Sequence, residues 1–243
     1  MKKRLDILLF ERGVTESRER ARSLIMSNKV LVNGDPVTKA GQLVDMSADV
    51  QLRDCDIGFV SRGGLKLDFA LKEFKVEPEG LICMDVGAST GGFTDCLLQH
   101  GARLVYAIDV GYGQIAWSLR NNEKVVILER TNIRELTIDK IADPIDLVVI
   151  DASFISLTKV MPSVVKFISQ GGQILALIKP QFEVGKGEVG KGGIIRDEQK
   201  RMNAVEGIRE FFINNGIEVR GICTSPITGQ KGNVEYFIYG AYV

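Results

Sequence analysis

From residue 81 onward, short runs of apolar residues alternate with longer segments whose apolar residues recur at helical spacing. Continuous apolar runs are typical of parallel strands, because helices cover both faces of a parallel sheet. The alternation therefore predicts an α/β fold with a Rossmann-like, doubly wound sheet. We expect parallel strands at residues 81–86, 104–108, 125–128, 147–150 and 174–178, and antiparallel strands at 218–223 and 234–239.

The first sixty residues follow a different pattern, which predicts a small α+β domain in front of this sheet. Apolar residues recur at helical spacing over 5–12 and 18–27, and Ser17 is a suitable N-cap for the second helix. The pair Asn33-Gly34, between two short apolar runs, is typical of a tight hairpin turn. Further short strands are expected at Val44 and at residues 50–52.

These patterns predict a first domain at residues 1–53, a linker at 54–64 and an α/β domain at 65–243. Gly13 is expected to end the first helix, because glycine readily adopts the left-handed conformation that often follows a helix. The pair Gly63-Gly64 is expected to close the linker, and a helix is expected over residues 65–74.

The charge of the chain is uneven. The 31 basic and 31 acidic residues cancel overall, but residues 1–30 hold eight Lys or Arg and four Asp or Glu. Such a basic cluster indicates a polyanion site, although a solvated helix face would look the same. Arg18 and Arg22 are four residues apart, so both project from one face of the second helix.

The four cysteines and the single histidine, His100, show no metal-binding spacing, so we predict reduced thiols and no metal site.

Charged residues interrupt the apolar run that should follow the basic start of a signal peptide. No run approaches the roughly 18 apolar residues that a membrane span needs. We therefore expect a cytoplasmic protein without a membrane partner.

A glycine-rich turn follows the first strand of the predicted sheet. Its glycines would let a ligand approach the backbone at a helix N-terminus. A dinucleotide-binding turn would carry glycine where Ser89 stands, and an acidic residue is favourable beside the amino group of a methionine-derived methyl donor. A methyl donor is thus favoured over a nicotinamide cofactor. The predicted cofactor-binding residues of this turn are Asp85, Gly87, Ser89, Gly91, Gly92 and Phe93.

Polar residues also end the later strands of the predicted sheet. Asp109 ends the second strand, where an acid can bind both hydroxyls of a ribose, although a turn cap is the alternative. Asn132 and Ile133 follow the third strand, where an adenine edge would lie. Asp151 and Lys179 end the fourth and fifth strands, which we expect to be neighbours, so both side chains should reach one crevice.

The first domain resembles the alpha-L RNA-binding motif, which occurs in a ribosomal small-subunit protein and in pseudouridine synthases. The matching residues are Arg4-Leu5-Asp6, Glu11-Arg12-Gly13, Ser17-Arg18, Ala21 and Val30-Leu31-Val32-Asn33-Gly34. The resemblance implies that RNA phosphates are bound by Arg4, Arg18, Arg22 and Lys29.

Residues 2–240 resemble the TlyA or hemolysin A family of ribosomal RNA 2′-O-ribose methyltransferases, which are FtsJ-like. The matching motifs are Ser61-Arg62-Gly63-Gly64-Leu65-Lys66, Asp85 to Asp95, Ile150 to Ser156, Ile178 to Glu183 and Gly232-Asn233-Val234-Glu235. The resemblance implies a class I methyltransferase that uses S-adenosylmethionine and acts on ribosomal RNA or a ribosomal subunit. Its target would be a cytidine ribose of the large-subunit RNA.

The resemblance also implies a catalytic tetrad at Lys66, Asp151, Lys179 and Glu235. A ribose hydroxyl must lose a proton as it attacks a methyl group, and a neutral lysine can accept it. We expect Lys179 to be this base, Asp151 to orient it, and Lys66 and Glu235 to position the ribose. A surface ion pair is the alternative for Lys66 and Glu235. A cytolytic protein and a non-catalytic RNA-binding factor remain the rival functions, and the oligomeric state stays open.

Overall fold

The computed structural model describes residues 2–12, 14–15, 17–52, 58–185, 187–190, 192–229 and 232–243. The chain folds into two compact units, Met1–Ile57 and Gly58–Val243. Gly13, predicted to end the first helix, and residues 54–57 of the predicted linker lie outside the described residues. No helix in the described part of the chain is both long and apolar enough to cross a membrane.

The first unit is α+β, as the sequence predicts. Its elements are β1 (Lys2–Arg4), α1 (Leu5–Glu11), α2 (Arg18–Met26), β2 (Val30–Val32), β3 (Asp35–Val37), β4 (Leu43–Asp45) and β5 (Val50–Leu52). Strand β2 pairs with β3 and with β5, and β1 pairs with β4, all antiparallel. The strand β1 is not apparent in the sequence pattern, because its three residues are all basic.

Local signals explain the elements of this unit. Ser17 caps α2, with its hydroxyl oxygen accepting a hydrogen bond from the backbone N–H of Arg20 at 3.1 Å. Asn33 and Gly34 have φ angles of 53° and 87°, as the predicted tight turn requires. The helices bury one apolar face each against the strands, through Leu5, Leu8, Leu9, Ala21, Leu24 and Ile25.

The second unit has the predicted Rossmann-like architecture. Its elements are α3 (Arg62–Phe74), β6 (Ile82–Val86), α4 (Gly92–Gln99), β7 (Leu104–Ile108), α5 (Trp117–Arg120), β8 (Val125–Leu128), a 3-10 turn (Ile138–Lys140), β9 (Ile145–Ile150), α6 (Leu157–Val164), β10 (Ile168–Ile178), α7 (Pro180–Glu183), α8 (Glu198–Asn214), β11 (Ile217–Thr224) and β12 (Tyr236–Tyr242).

Within the described residues, one seven-stranded sheet has the order β11-β12-β10-β9-β6-β7-β8. The five strands from β10 to β8 are parallel, and β12 and β11 are antiparallel additions. Both the late antiparallel pair and the predicted adjacency of β9 and β10 are confirmed. Because the carboxyl ends of β6, β7, β9 and β10 share one edge, the residues that follow them can form one site.

Helix α3 begins three residues earlier than the sequence pattern predicts. The pair Gly63-Gly64, assigned to a linker, forms its first turn, and Ser61 is the N-cap, accepting a hydrogen bond from Gly63 N–H at 3.3 Å. A Cβ on Gly64 would lie 2.3 Å from the Phe59 ring. Gly64 is therefore required by close packing at the helix start, and the local sequence pattern does not reveal this contact.

Candidate functional site

The turn between β6 and α4 brings backbone unusually close to the end of β9. Gly87, with a φ of 90°, follows β6, and a Cβ there would lie 2.7 Å from the carbonyl oxygen of Asp151. Ser89 also has a positive φ of 49°. Gly91, with a φ of 92°, packs against Leu119 and opens α4. The turn thus depends on glycine for both its conformation and its space.

Asp85 lies beneath this turn and is completely buried. Its Oδ2 accepts a hydrogen bond from Thr94 Oγ1 at 2.7 Å, and its Oδ1 has no hydrogen-bond partner among the described residues. Burial raises the pKa of Asp85 to about 7. The sequence predicts Asp85 beside the cofactor, but in the structure it does not line the cavities described below.

A cavity of about 360 Å³ lies over the carboxyl ends of β6, β7 and β9. Its walls are mostly apolar, and Asp109 and Asn132 lie among them. The predicted cofactor residues Gly87, Ser89, Asp109, Asn132 and Ile133 all line it. A mostly apolar slot with a carboxylate, Asp109, beside Asn132 suits the base and sugar of a nucleoside.

Asp109 fulfils the alternative role of a turn cap as well. Its Oδ2 accepts a hydrogen bond from Ser89 N–H at 2.8 Å, and its Oδ1 accepts one from Gly111 N–H at 2.6 Å. Each carboxylate oxygen has a second lone pair, so these bonds leave capacity for hydroxyl groups of a ligand. The carboxylate is therefore held in place at the cavity wall by the loops on both sides.

A second cavity, of about 260 Å³, adjoins the first and has Gly87, Ser89 and Asp151 as common lining residues. Lys66 also lines it, together with Gly92 and Phe93 of the glycine-rich turn. The two cavities therefore meet at Asp151. A group held in the first cavity and a group held in the second could react there.

The four predicted tetrad residues form two ion pairs. Lys66 Nζ lies 2.6 Å from Glu235 Oε2, and Lys179 Nζ lies 2.5 Å from Asp151 Oδ1. The side chain of Lys66 is 11% exposed and that of Glu235 is 2% exposed, so this pair is not a surface ion pair. Burying two charges costs desolvation free energy that can exceed their mutual attraction, so stability alone is a weak reason for such a pair.

Each pair is positioned by elements far apart in the sequence. The neighbours β9 and β10 end at Ile150 and Ile178, so Asp151 and Lys179 emerge side by side. Glu235 directly precedes β12 and lies against Gly229, where a Cβ would come 1.9 Å from its Oε1.

Lys66 is placed by the contact between α3 and α4. A Cβ on Gly92 would lie 2.1 Å from Ser61 Oγ and 2.9 Å from the backbone nitrogen of Gly64. Glycine at these positions lets the start of α3, one turn before Lys66, pack directly on the start of α4.

Two residues at this site carry no predicted role. Lys179 Nζ donates a hydrogen bond to Ser153 Oγ at 2.8 Å, so Ser153 helps to hold the nitrogen. Asn233 is buried; its Oδ1 accepts from Ile195 N–H at 3.1 Å and its Nδ2 donates to Gly193 O at 2.8 Å. Their nearness in sequence to Asp151 and Glu235 is the one signal that could have indicated them.

In the first unit, Arg4, Arg18 and Arg22 converge on the buried Asp6, at distances of 3.0, 3.4 and 4.0 Å. The hydrogen bond from Arg4 holds the pKa of Asp6 below its usual range. Lys29, the fourth predicted phosphate contact, lies between α2 and β2 and is half-buried.

Outside these sites, Asp68, Cys96 and His100 place ligand-type atoms within 4.8 Å of one another. The sequence spacing does not indicate this cluster. Asp68 already binds His100 Nε2 at 2.9 Å and the ammonium group of Lys72 at 2.6 Å. The lysine charge therefore occupies the carboxylate that a metal ion would need.

The FtsJ-like methyltransferase family matches residues 59–242, and the S4 domain matches residues 3–50. The chain is 47% identical to the 16S/23S rRNA (cytidine-2′-O)-methyltransferase TlyA of Mycobacterium tuberculosis, over 97% of this chain and 88% of that protein. It is 42% identical to Hemolysin A of Brachyspira hyodysenteriae, over 97% of this chain and 98% of that protein.

A solved structure is similar over the whole chain. It is that of a proposed hemolysin from Streptococcus thermophilus, with a TM-score of 0.78 and 39% identity, covering 100% of this chain and 89% of that one. The resemblance inferred from the sequence motifs is thus confirmed. The chain belongs to the FtsJ-like methyltransferase family and carries an S4 domain before its methyltransferase domain.

Proposed function

We propose that this protein transfers a methyl group from S-adenosylmethionine to a ribose 2′-hydroxyl of ribosomal RNA, at a cytidine of the large-subunit RNA. The observation that carries the proposal is the two close Lys–carboxylate pairs, because Asp151 of one pair lies where two cavities meet and Lys66 of the other lines the second cavity. The relatives named for cytidine 2′-O-methylation support the choice of nucleotide.

The first cavity fits the proposed cofactor. Asp109 would bind the ribose hydroxyls, and Asn132 and Ile133 would lie beside the adenine. The methionine part would lie along the turn formed by Gly87, Ser89, Gly91, Gly92 and Phe93, of which Gly87 and Ser89 line both cavities. Asp85 is buried directly before this turn and supports it through its hydrogen bond with Thr94 of α4. When bound, the cofactor supplies an activated methyl group.

The groups that would act on the RNA lie at and around the second cavity, which Lys66 and Asp151 line. Lys179 accepts the proton of the 2′-hydroxyl at Nζ, and Asp151 and Ser153 hold that nitrogen in place. Lys66, fixed by Glu235, binds the ribose so that its hydroxyl faces Asp151. This division of roles agrees with the lining of the cavities, because Asp151 lines both of them whereas Lys66 lines only the second.

The first domain, residues 1–53, would hold the RNA through phosphate contacts of Arg4, Arg18, Arg22 and Lys29. Such contacts position a protein on RNA without reading its sequence. Residues 54–64, the predicted linker, would join it to the methyltransferase domain. The last three of these residues form the first turn of α3. Ribosomal RNA as the substrate implies action in the cytoplasm.

The proposal is tested by incubating the purified protein with S-adenosylmethionine and in-vitro transcribed 23S ribosomal RNA. Mass spectrometry of the nuclease digest should show 2′-O-methylcytidine, and a parallel reaction with 16S RNA compares the two subunits. Methylation of a base instead of a ribose would contradict the assignment of the reaction. A digest without any methylated nucleoside, from protein that binds the cofactor, would contradict the proposed substrate.

A further inference from the structure

Asp6, in the first turn of α1, is a fully buried carboxylate surrounded by positive charge. Arg4 reaches it with two parallel hydrogen bonds, from Nε to Oδ1 and from Nη2 to Oδ2, both 3.0 Å long. Arg18 Nη2 donates to Oδ2 at 3.4 Å, and Arg22 Nε lies 4.0 Å from the same oxygen. One carboxylate thus gathers arginines from two different elements.

The three arginines keep most of their hydrogen-bonding capacity. Each guanidinium has five N–H donors, and the contacts with Asp6 use few of them. Their side chains are 43%, 48% and 56% exposed, whereas the Asp6 side chain is 0% exposed. The three arginine side chains are therefore accessible to solvent, whereas the Asp6 carboxylate that they contact is buried.

We infer that Asp6 is a positioning residue for RNA binding, which assembles Arg4, Arg18 and Arg22 into one phosphate-binding patch. The inference rests on the proposed function, since it assumes that the first domain binds RNA. Without the carboxylate, three neighbouring guanidinium groups would repel one another and spread apart. Because Asp6 holds the three arginine side chains in place before RNA binds, less side-chain entropy is lost when they bind a phosphate.

Charge and positioning predict opposite effects of removing Asp6. If only net charge mattered, Asp6→Asn would add one positive charge to the domain and tighten binding to a polyanion. If Asp6 positions the arginines, the same variant should weaken binding, although the domain has become more positive. The sign of the effect therefore distinguishes a positioning role from a passive acidic residue.

Asp35→Asn is the matched control, because it removes the same charge from an exposed position of the same domain. We expect Asp6→Asn to weaken binding of the full-length protein to 23S ribosomal RNA, on the order of tenfold, and to flatten its salt dependence. Asp35→Asn should bind as well as the unchanged protein or slightly better. If both variants tighten binding equally, the inference is overturned.

A measurement on the unchanged protein covers the case in which Asp6→Asn does not fold. Side-chain relaxation of arginine Nε–H groups by NMR should show Arg4, Arg18 and Arg22 restricted in the absence of RNA. Equal mobility of these three and the exposed Arg20 would overturn the inference.

The double variant Arg18→Ala/Arg22→Ala tests the underlying RNA-binding proposal: if RNA affinity does not change, the patch itself is not the RNA site.

Discussion

At the scale of single residues, Lys179 provides the sharpest test of the chemistry. Its ammonium nitrogen lies between Asp151 and Ser153, at 2.5 and 2.8 Å. Lys179→Ala should lower the rate of methylation by roughly 10²–10⁴, the usual effect of losing a general base. Lys179→Arg should be similarly inactive, because a guanidinium keeps its proton at pH 7.

The measurement is single-turnover methylation of 23S RNA, with cofactor affinity determined by calorimetry as the control. Cofactor affinity should stay close to that of the unchanged protein in both variants, because Lys179 does not line the first cavity. Near-normal turnover of Lys179→Arg would show that the residue contributes charge and that another group accepts the proton.

Asp85 predicts a dependence of stability on pH. Burial raises its pKa to about 7 in the folded protein, far above the ordinary value of an aspartate. Between roughly pH 4 and 7 the folded state retains a proton that the unfolded chain releases, so stability falls as pH rises through this window. Above about pH 7 this penalty is complete and constant.

Asp85→Asn should remove this penalty while its side-chain oxygen can still accept the Thr94 hydrogen bond. The gain in stability of this variant over the unchanged protein should therefore be larger at pH 8 than at pH 5. Each unit of pKa shift corresponds to ~1.4 kcal/mol, so the effect is a few kcal/mol at most. Urea denaturation at both pH values measures the free energy of unfolding. If the stabilities of the two proteins changed with pH in the same way, Asp85 would not be the source of the pH dependence.

At the scale of elements, the contact between α3 and α4 connects the glycine-rich turn to Lys66. Gly92→Ala would place a Cβ 2.1 Å from Ser61 Oγ and 2.9 Å from backbone of α3. We expect this variant to lose stability, on the order of 1–3 kcal/mol as for other overpacked sites, and to lose methylation activity because Lys66 is displaced.

Gly207→Ala is its matched control, because Gly207 lies inside α8 and a Cβ there meets no atom within 4 Å. This change should stabilise the protein by up to about 1 kcal/mol without affecting activity. Thermal unfolding and methylation assays compare the two variants. If Gly92→Ala were as stable and as active as Gly207→Ala, the close helix contact would not be needed to position Lys66.

At the scale of the whole molecule, the proposed cofactor-binding residues and the proposed phosphate-binding arginines lie in separate units. Asp109→Ala should weaken cofactor binding, because the cavity wall loses its carboxylate, and should leave the salt dependence of RNA binding unchanged. Arg18→Ala/Arg22→Ala should have the opposite pattern, with a flatter salt dependence of RNA binding and unchanged cofactor affinity.

Calorimetry with S-adenosylhomocysteine and RNA-binding assays at several salt concentrations measure the two properties. A fall of both affinities in one variant would indicate that the two units are energetically coupled rather than independent. An unchanged cofactor affinity in Asp109→Ala would mean that Asp109 acts only as the cap of its two loops.

The amino-acid sequence by itself determined most of the strands of this protein and the helices of its first unit, because their signals are local. Apolar runs mark the strands of the main sheet, Asn33-Gly34 marks the hairpin, and Ser17 marks the start of α2. The polar residues after the strands, Asp109 among them, could also be read locally, since strand ends of a parallel sheet share one edge.

Only the tertiary structure decided which distant groups meet. Lys66 pairs with Glu235 across 169 positions, a contact set by sheet order and by the packing of α3 on α4 rather than by any periodicity. The start of α3, the burial of Asp85 below its turn and the gathering of the arginines by Asp6 have the same origin. Each depends on the surroundings that remote segments provide, and the properties of a short stretch of chain do not contain that information.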